Sequence, residues 1–213
     1  MRSKPDNFTY LSCCGKGGYG EAWLVREPHG PCRVLKIIYK DCPAAWRTER
    51  EGLAAYYEKL SDLTPEEQHC IVTVLHNGEN DECIYYTMPA ADNMPNGSGE
   101  YVPDTLSARL RHHRLSRSEI LDVASSVASA LAAFEARGIV HKDIKPSNIF
   151  YFNGEPRLGD IGLMQNATEE DLIFAEAGSP FFIPPEALQD GAQMPVAGPE
   201  WDLYALGKLL YIG

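Results

Sequence analysis

Near residue 90 the sequence changes its period, and that change sets the fold class. Before it, Leu11 to Cys14, Glu21 to Arg26 and Cys32 to Tyr39 are short β-branched and aromatic runs divided by Gly and Pro, a strand pattern. Residues 43–60, PAAWRTEREGLAAYYEKL, predict one helix with Pro43 near its start. Cys70 to Leu75 and Glu82 to Met88 predict two further strands, and Thr64-Pro65-Glu66-Glu67 predicts a short helix start. A Gly/Pro/Asn/Ser loop follows at 93–104. Beyond it Ile120, Val123, Val127, Leu131 and Phe134 repeat at helical spacing, with Ser118 as the expected cap and Gly138 as the stop. Ile149 to Phe152 and Arg157 to Gly159 predict two short strands joined through Asn153-Gly154. Residues 164–200 read mostly as loop, and a last apolar helix begins at Trp201. The expected fold is therefore α+β, with a strand-rich part at 1–91 and a helix-rich part at 92–213.

Composition removes several function classes. The 213 residues carry 19 Lys+Arg against 30 Asp+Glu, a net charge of −11, which lacks the basic footprint of a nucleic-acid binder. No stretch approaches the roughly 18 uninterrupted apolar residues of a membrane span. The first ten residues, MRSKPDNFTY, have no apolar core, so no signal peptide is expected. Six cysteines at 13, 14, 32, 42, 70 and 83 show no C-x-x-C spacing and read as reduced thiols, which places the chain in the cytoplasm. The basic cluster Arg109, Arg111, His112, His113, Arg114 and Arg117 reads as a solvated helix face, and the pairs Tyr56-Tyr57 and Tyr85-Tyr86 as half-buried packing residues.

Chemistry concentrates in five places. Gly15-Lys16-Gly17-Gly18-Tyr19-Gly20 joins two strand candidates, where backbone amides can approach phosphate oxygens with no Cβ in the way. A strand follows the last Gly, which disfavours a dinucleotide fold, and no Gly-Lys-Ser/Thr follows, which excludes a Walker A loop. Lys36 sits inside the apolar run Val34 to Ile38, where an ammonium needs a partner. Glu49 or Glu51 on the next helix can supply it, and the spacing to Leu53 favours Glu49. His141-Lys142-Asp143-Ile144-Lys145-Pro146-Ser147-Asn148 puts a carboxylate, an ammonium and an amide within six residues. That set suits a carboxylate taking a hydroxyl proton, a cation balancing phosphate charge and an amide oxygen on a metal. Asp160, in Gly159-Asp160-Ile161-Gly162, completes a hard oxygen pair with Asn148 that fits Mg²⁺.

In that order, these residues resemble a eukaryotic-type (Hanks-type) protein kinase domain, similar to the serine/threonine kinases of bacteria and eukaryotes. The resemblance implies a bilobal fold, with a small antiparallel β-rich N-lobe holding one helix and a mainly helical C-lobe. It implies ATP under Gly15, Lys16, Gly17, Gly18, Tyr19, Gly20 and Ala22, held by Lys36 paired with Glu49. Met88 resembles the residue at the back of the adenine pocket, with Pro89 to Ala91 as the hinge. Asp143 is then the catalytic base with Lys145 beside the γ-phosphate, and Asn148 and Asp160 hold Mg²⁺ (or Mn²⁺). His141 is expected to be structural, and Asp202 to brace the catalytic loop. Lys145, two residues after Asp143, and Ser179 in Gly178-Ser179-Pro180 point to protein substrates with Ser or Thr acceptors.

The sequence also departs from the pattern. Lys142 stands in place of the usual Arg, and Ile161 in place of the usual Phe. Thr168 is the single hydroxyl residue between Asp160 and Gly178, beside Glu169, Glu170 and Asp171. The resemblance implies further C-lobe helices beyond Gly213, so a truncated C-lobe is expected, with Glu186 lacking its Arg and the Trp201 to Tyr211 face wanting a cover or a partner. Besides an active kinase, two readings fit: a pseudokinase that binds ATP or scaffolds without transfer, and a small-molecule kinase, which the Gly-Ser-Pro and Pro-Pro-Glu elements disfavour.

Overall fold

The computed structural model describes residues 3–17, 20–28, 30–95, 97, 99–166, 181–188 and 198–213. Gly18, Tyr19, Thr168 to Asp171 and Gly178 to Pro180, named above, lie outside the described residues. The chain opens with β1 (Thr9–Gly17), β2 (Gly20–Arg26) and β3 (Cys32–Tyr39), then α1 (Pro43–Lys59) and the short α2 (Pro65–Gln68). Strands β4 (His76–Glu79) and β5 (Cys83–Pro89) complete an antiparallel five-stranded sheet of order β1-β2-β3-β5-β4. The second part holds α3 (Leu106–His112), α4 (Arg117–Glu135), β6 (Ile139–Val140), the hairpin β7 (Ile149–Phe152) and β8 (Glu155–Leu158), β9 (Gln165–Asn166) and α5 (Pro199–Ile212).

Period-2 alternation on β3 decides where its side chains go. Leu35, Ile37 and Tyr39 pack on one face with Val25 and Cys83, beneath Phe8, Tyr10, Trp23 and Tyr85. The other face carries Val34, Lys36 and Ile38, with Ile38 in the main core. Helix α1 turns Ala45, Glu49, Leu53 and Tyr56 inward at helical spacing, with Pro43 in its first turn. That core continues through Val127, Leu131 and Phe134 of α4 to Leu206 and Leu209 of α5. On α5, Leu203, Tyr211 and Ile212 stay exposed.

Four expectations are corrected. The Cys70 to Leu75 strand does not form a ladder. Its one bridge is Ile71 to Leu158, flanked by Val72 N–H to Leu158 O and Leu158 N–H to Cys70 O, each 2.8 Å. The neighbour of β5 is instead the polar edge strand β4, whose sequence His-Asn-Gly-Glu shows no apolar alternation. The cap of α4 is Ser116 rather than Ser118: Ser116 and Glu119 satisfy each other's backbone amides in a capping box, whereas Ser118 already lies inside the helix with Leu121 three residues on. The β7–β8 hairpin begins its second strand at Glu155, because Asn153 (φ 53°) and Gly154 (φ 82°) form a two-residue turn. Gly138 ends α4 at φ 64°, and Thr64 and Glu67 form the capping box expected of α2. Of the tyrosine pairs, Tyr56 and Tyr86 are buried rather than half-buried, and Tyr57 is exposed.

Candidate active site

A cavity of about 390 Å³ lies between the sheet and the helical part. Cys14, Ala22 and Val34 roof it, Met88, Pro89 and Ala91 form its back edge, and Phe150 and Phe152 of β7 form its floor. Lys36, Asp160 and Ser147 make its polar end. Among the described glycines of the Gly15 to Gly20 run, a Cβ at Gly15 or Gly17 meets nothing within 4 Å. Protein packing therefore does not demand glycine there, whereas a ligand approaching the backbone would. Gly20, at φ 139°, is tied to the fold itself, because a Cβ there runs into the Ile37 carbonyl. Lys16 turns outward to Glu21 at 3.3 Å.

Lys36 is opposite Ala22 on β2 and Tyr86 on β5, so register aims all three at one site. Its Nζ lies 2.8 Å from Glu49 Oε1 and 2.6 Å from Asp160 Oδ1. Glu49 is thereby the partner, and Glu51 is exposed. The Tyr86 hydroxyl donates a third bond into this group, at 2.5 Å to the same Glu49 oxygen. Burial opposes the charge on Lys36, but Asp160 and Glu49 outweigh it and raise the ammonium well above its ordinary range. Burial would also raise Asp160, yet Lys36 pulls that carboxyl below its usual value, while for Glu49 burial wins and the carboxyl is raised. Tyr86, pushed up by burial and by Glu49, stays a hydroxyl and therefore a donor.

The loop from His141 to Asn148 is fixed from behind. Asp202 of α5, buried, accepts the amides of His141 (2.7 Å) and Lys142 (2.8 Å), which holds Lys142 at φ 70°. Burial raises the Asp202 carboxyl. His141 is 1% exposed, stacks on Phe134, takes the Asp143 amide at Nδ1 and points Nε2 at Gly159 O. It is thus a structural side chain. Asp143 Oδ2 receives Lys145 Nζ at 2.6 Å and Asn148 Nδ2 at 2.8 Å, while its Oδ1 is buried with no partner among the described residues.

Asn148 spends its second amide hydrogen on Asp143 O at 2.9 Å, which leaves its oxygen as an acceptor. Among the described residues no three His, Cys, Asp or Glu side chains gather around a metal position. A hard cation that keeps waters and phosphate oxygens needs only one or two protein oxygens, which Asn148 and Asp160 can provide. Asp160 adopts φ 66° and turns its carboxylate back to the Gly162 amide.

Sequence reasoning did not single out Cys14, Phe150 or Tyr86. In sequence the floor residues carry only a strand signal, and Cys14 only that of a reduced thiol. The register of β3 with β5 is what exposes Tyr86.

The family model described as protein kinase domain matches residues 8–212. The chain is 28% identical to NUAK family SNF1-like kinase 2 of Homo sapiens over 207 residues, covering 96% of this chain and 30% of that protein. It is 24% identical to Rho-associated protein kinase 1 of Homo sapiens over 217 residues (99% of this chain, 15% of that protein). With Rho-associated protein kinase let-502 of Caenorhabditis briggsae the identity is 24% over 215 residues, 99% of this chain and 17% of that protein. The chain thus spans less than a third of each of these curated relatives. A family model matched over almost the whole length, on a five-stranded sheet joined to a helical part, means that the chain belongs to the protein kinase domain family.

Proposed function

We propose that this domain transfers the γ-phosphoryl group of ATP to Ser or Thr hydroxyls of protein substrates, with Asp143 as the base. The carrying observation is the division of labour in the Asp143 carboxylate. One oxygen is pinned by Lys145 and Asn148, and the other is buried with no partner among the described residues. An oriented acceptor without a protein donor is what a substrate hydroxyl requires. Lys36, paired with Glu49, orients phosphate oxygens, and Lys145 balances charge on the transferring group. Asn148 and Asp160 hold Mg²⁺ (or Mn²⁺), which neutralises phosphate charge when bound. The Gly15 to Gly20 turn and Ala22 cover the nucleotide, and Met88 to Ala91 border its base. Lys145, two residues after Asp143, supports Ser/Thr acceptors.

In this reading residues 1–91 form the N-lobe and hinge and residues 92–213 the C-lobe. The six free thiols support a reducing cytoplasmic setting. Among the described residues no helix is long and apolar enough to cross a membrane.

The test incubates the chain with Mg·ATP and a generic basic protein and weighs every species by intact mass spectrometry. Wild type is expected to add phosphate mass to Ser or Thr. Asp143→Ala is expected to lower the rate by about 10²–10⁴-fold while ATP still binds. Undiminished transfer in that variant removes Asp143 as the base. ATP binding without transfer by wild type favours a nucleotide-binding scaffold.

A further inference from the structure

The loop after the hinge does not simply lead to α3. It leaves at Asp92 and returns at Asp104, and its base is closed by hydrogen bonds. The Met94 amide donates to Val102 O and the Asp104 amide to Asp92 O, both at 2.8 Å, and Asn93 Oδ1 accepts the Val102 amide at 2.9 Å. Asn93 and Pro103 form an antiparallel bridge. The base is anchored in turn to the cavity floor strand: Asp92 N–H donates to Tyr151 O, and Tyr151 N–H to Asp104 O. Asp92 also takes the Asn153 and Gly154 amides with its carboxylate.

This strap returns to the cavity. Tyr101, Val102 and Pro103 line it. The Tyr101 hydroxyl donates to the carbonyl of Ala91 at 3.1 Å, which draws its ring onto the hinge. Cys14 of the roof lines the same cavity, and burial pushes the Tyr101 hydroxyl far above the tyrosine range. The strap therefore lines the cavity beside the hinge. Ala22, Phe150 and the strap residues Tyr101 to Pro103 line this one cavity.

We propose that the returning end of the strap, Tyr101 to Pro103, is a nucleoside-binding wall, in which Tyr101 contacts the adenosine moiety at the mouth of the cleft. The proposal rests on the kinase reading of the same cavity. It assigns the strap to the nucleoside and not to the phosphates, so free adenosine is the discriminating probe. A Tyr101→Ala variant is expected to weaken adenosine and ATP by a similar factor, about tenfold. Tyr101→Phe, which keeps the ring, is expected to stay within about threefold of wild type. The unliganded melting temperatures of both variants are measured alongside.

In wild type, adenosine is expected to slow hydrogen exchange at the Met94, Val102 and Asp104 amides more than at the remote amides of α2. That measurement needs no variant and decides the matter if Tyr101→Ala does not fold. Adenosine binding unchanged in Tyr101→Ala, loss of ATP affinity alone, or strap amides indifferent to adenosine would each overturn the wall. Wild type binding neither adenosine nor ATP would instead remove the kinase reading, and the wall with it.

Discussion

Glu49 is held by more than the lysine that a kinase-like pattern requires. One oxygen of its buried carboxylate receives both the Lys36 ammonium and the Tyr86 hydroxyl. A hydrogen bond to a charged group contributes about 1.5–3 kcal/mol, and burial gives Glu49 no water to substitute for a lost donor. Tyr86→Phe deletes that donor and almost nothing else. It is expected to destabilise the fold by about 1.5–3 kcal/mol in denaturant unfolding. It should also lower phosphate transfer, because Glu49 then holds Lys36 less firmly. An unchanged unfolding midpoint would show that the hydroxyl contributes nothing. At this scale the sequence carried the pair itself: Lys36 in an apolar strand needs a carboxylate, and Glu49 shares a helical face with Leu53. It did not carry Tyr86, since adjacent tyrosines on a strand face opposite ways and only the β3–β5 register shows which one points at Glu49.

Among the elements, the short helix α2 is held by charge more than by burial, since it has no buried residue. Arg137, just past α4, forks onto Glu67 at 2.8 and 3.0 Å and reaches Asp62 at 3.2 Å. Hydrogen bonds from Arg137, then from the Thr64 amide, pull the Glu67 carboxyl from 4.5 down to about 2. A carboxyl lowered on folding adds stability above its unfolded value and loses it as pH falls through the folded one. The melting-temperature gap between wild type and Glu67→Gln is therefore expected to be widest at neutral pH. It should narrow as pH drops from about 4.5 towards 2. Because the pair lies half-buried at the surface, added salt should shrink the gap as well. A gap constant with pH would show that the charge of the Glu67 carboxylate adds nothing to stability. The boundaries that sequence missed have related causes. Ser116 and Ser118 are both good caps, and only the Glu three residues after Ser116 separates them. The β4 edge strand is polar throughout, so no hydrophobic period marks it, whereas the β-branched run at Cys70 to Leu75 looked like a strand and pairs at a single bridge.

Besides the Lys36–Asp160 pair, backbone joins the sheet to the helical part at three places among the described residues. The hinge at Pro89 to Asp92 is one, and the Cys70–Leu158 pairing is another. The third is α1 lying directly on the Asp160 to Gly162 turn. A Cβ at Gly52 would run into the Ile161 carbonyl, and one at Gly162 into the Glu49 carboxylate. Glycine in a helix interior is ordinarily worse than alanine by about 0.5–1 kcal/mol. Gly52→Ala should reverse that sign, because the obstacle is backbone on both sides and cannot rotate away. The expected cost is about 1–3 kcal/mol. Gly207 is the internal control: it is exposed in α5, and a Cβ there meets nothing within 4 Å. Gly207→Ala is expected to stabilise by about 0.5–1 kcal/mol. The two variants also differ in what they do to the cleft. Pushing α1 off the turn separates Glu49 from Lys36 and moves Asp160, so Gly52→Ala should shorten the rise in melting temperature that Mg·ATP gives wild type. A nucleotide near 100 times its Kd adds about 2.7 kcal/mol, enough to resolve such a loss. Gly207→Ala should keep the full rise. If both alanines stabilise and both keep the nucleotide shift, packing of α1 does not couple the sheet to the site, and the hinge, the Cys70–Leu158 pairing and the Lys36–Asp160 pair hold the cleft together.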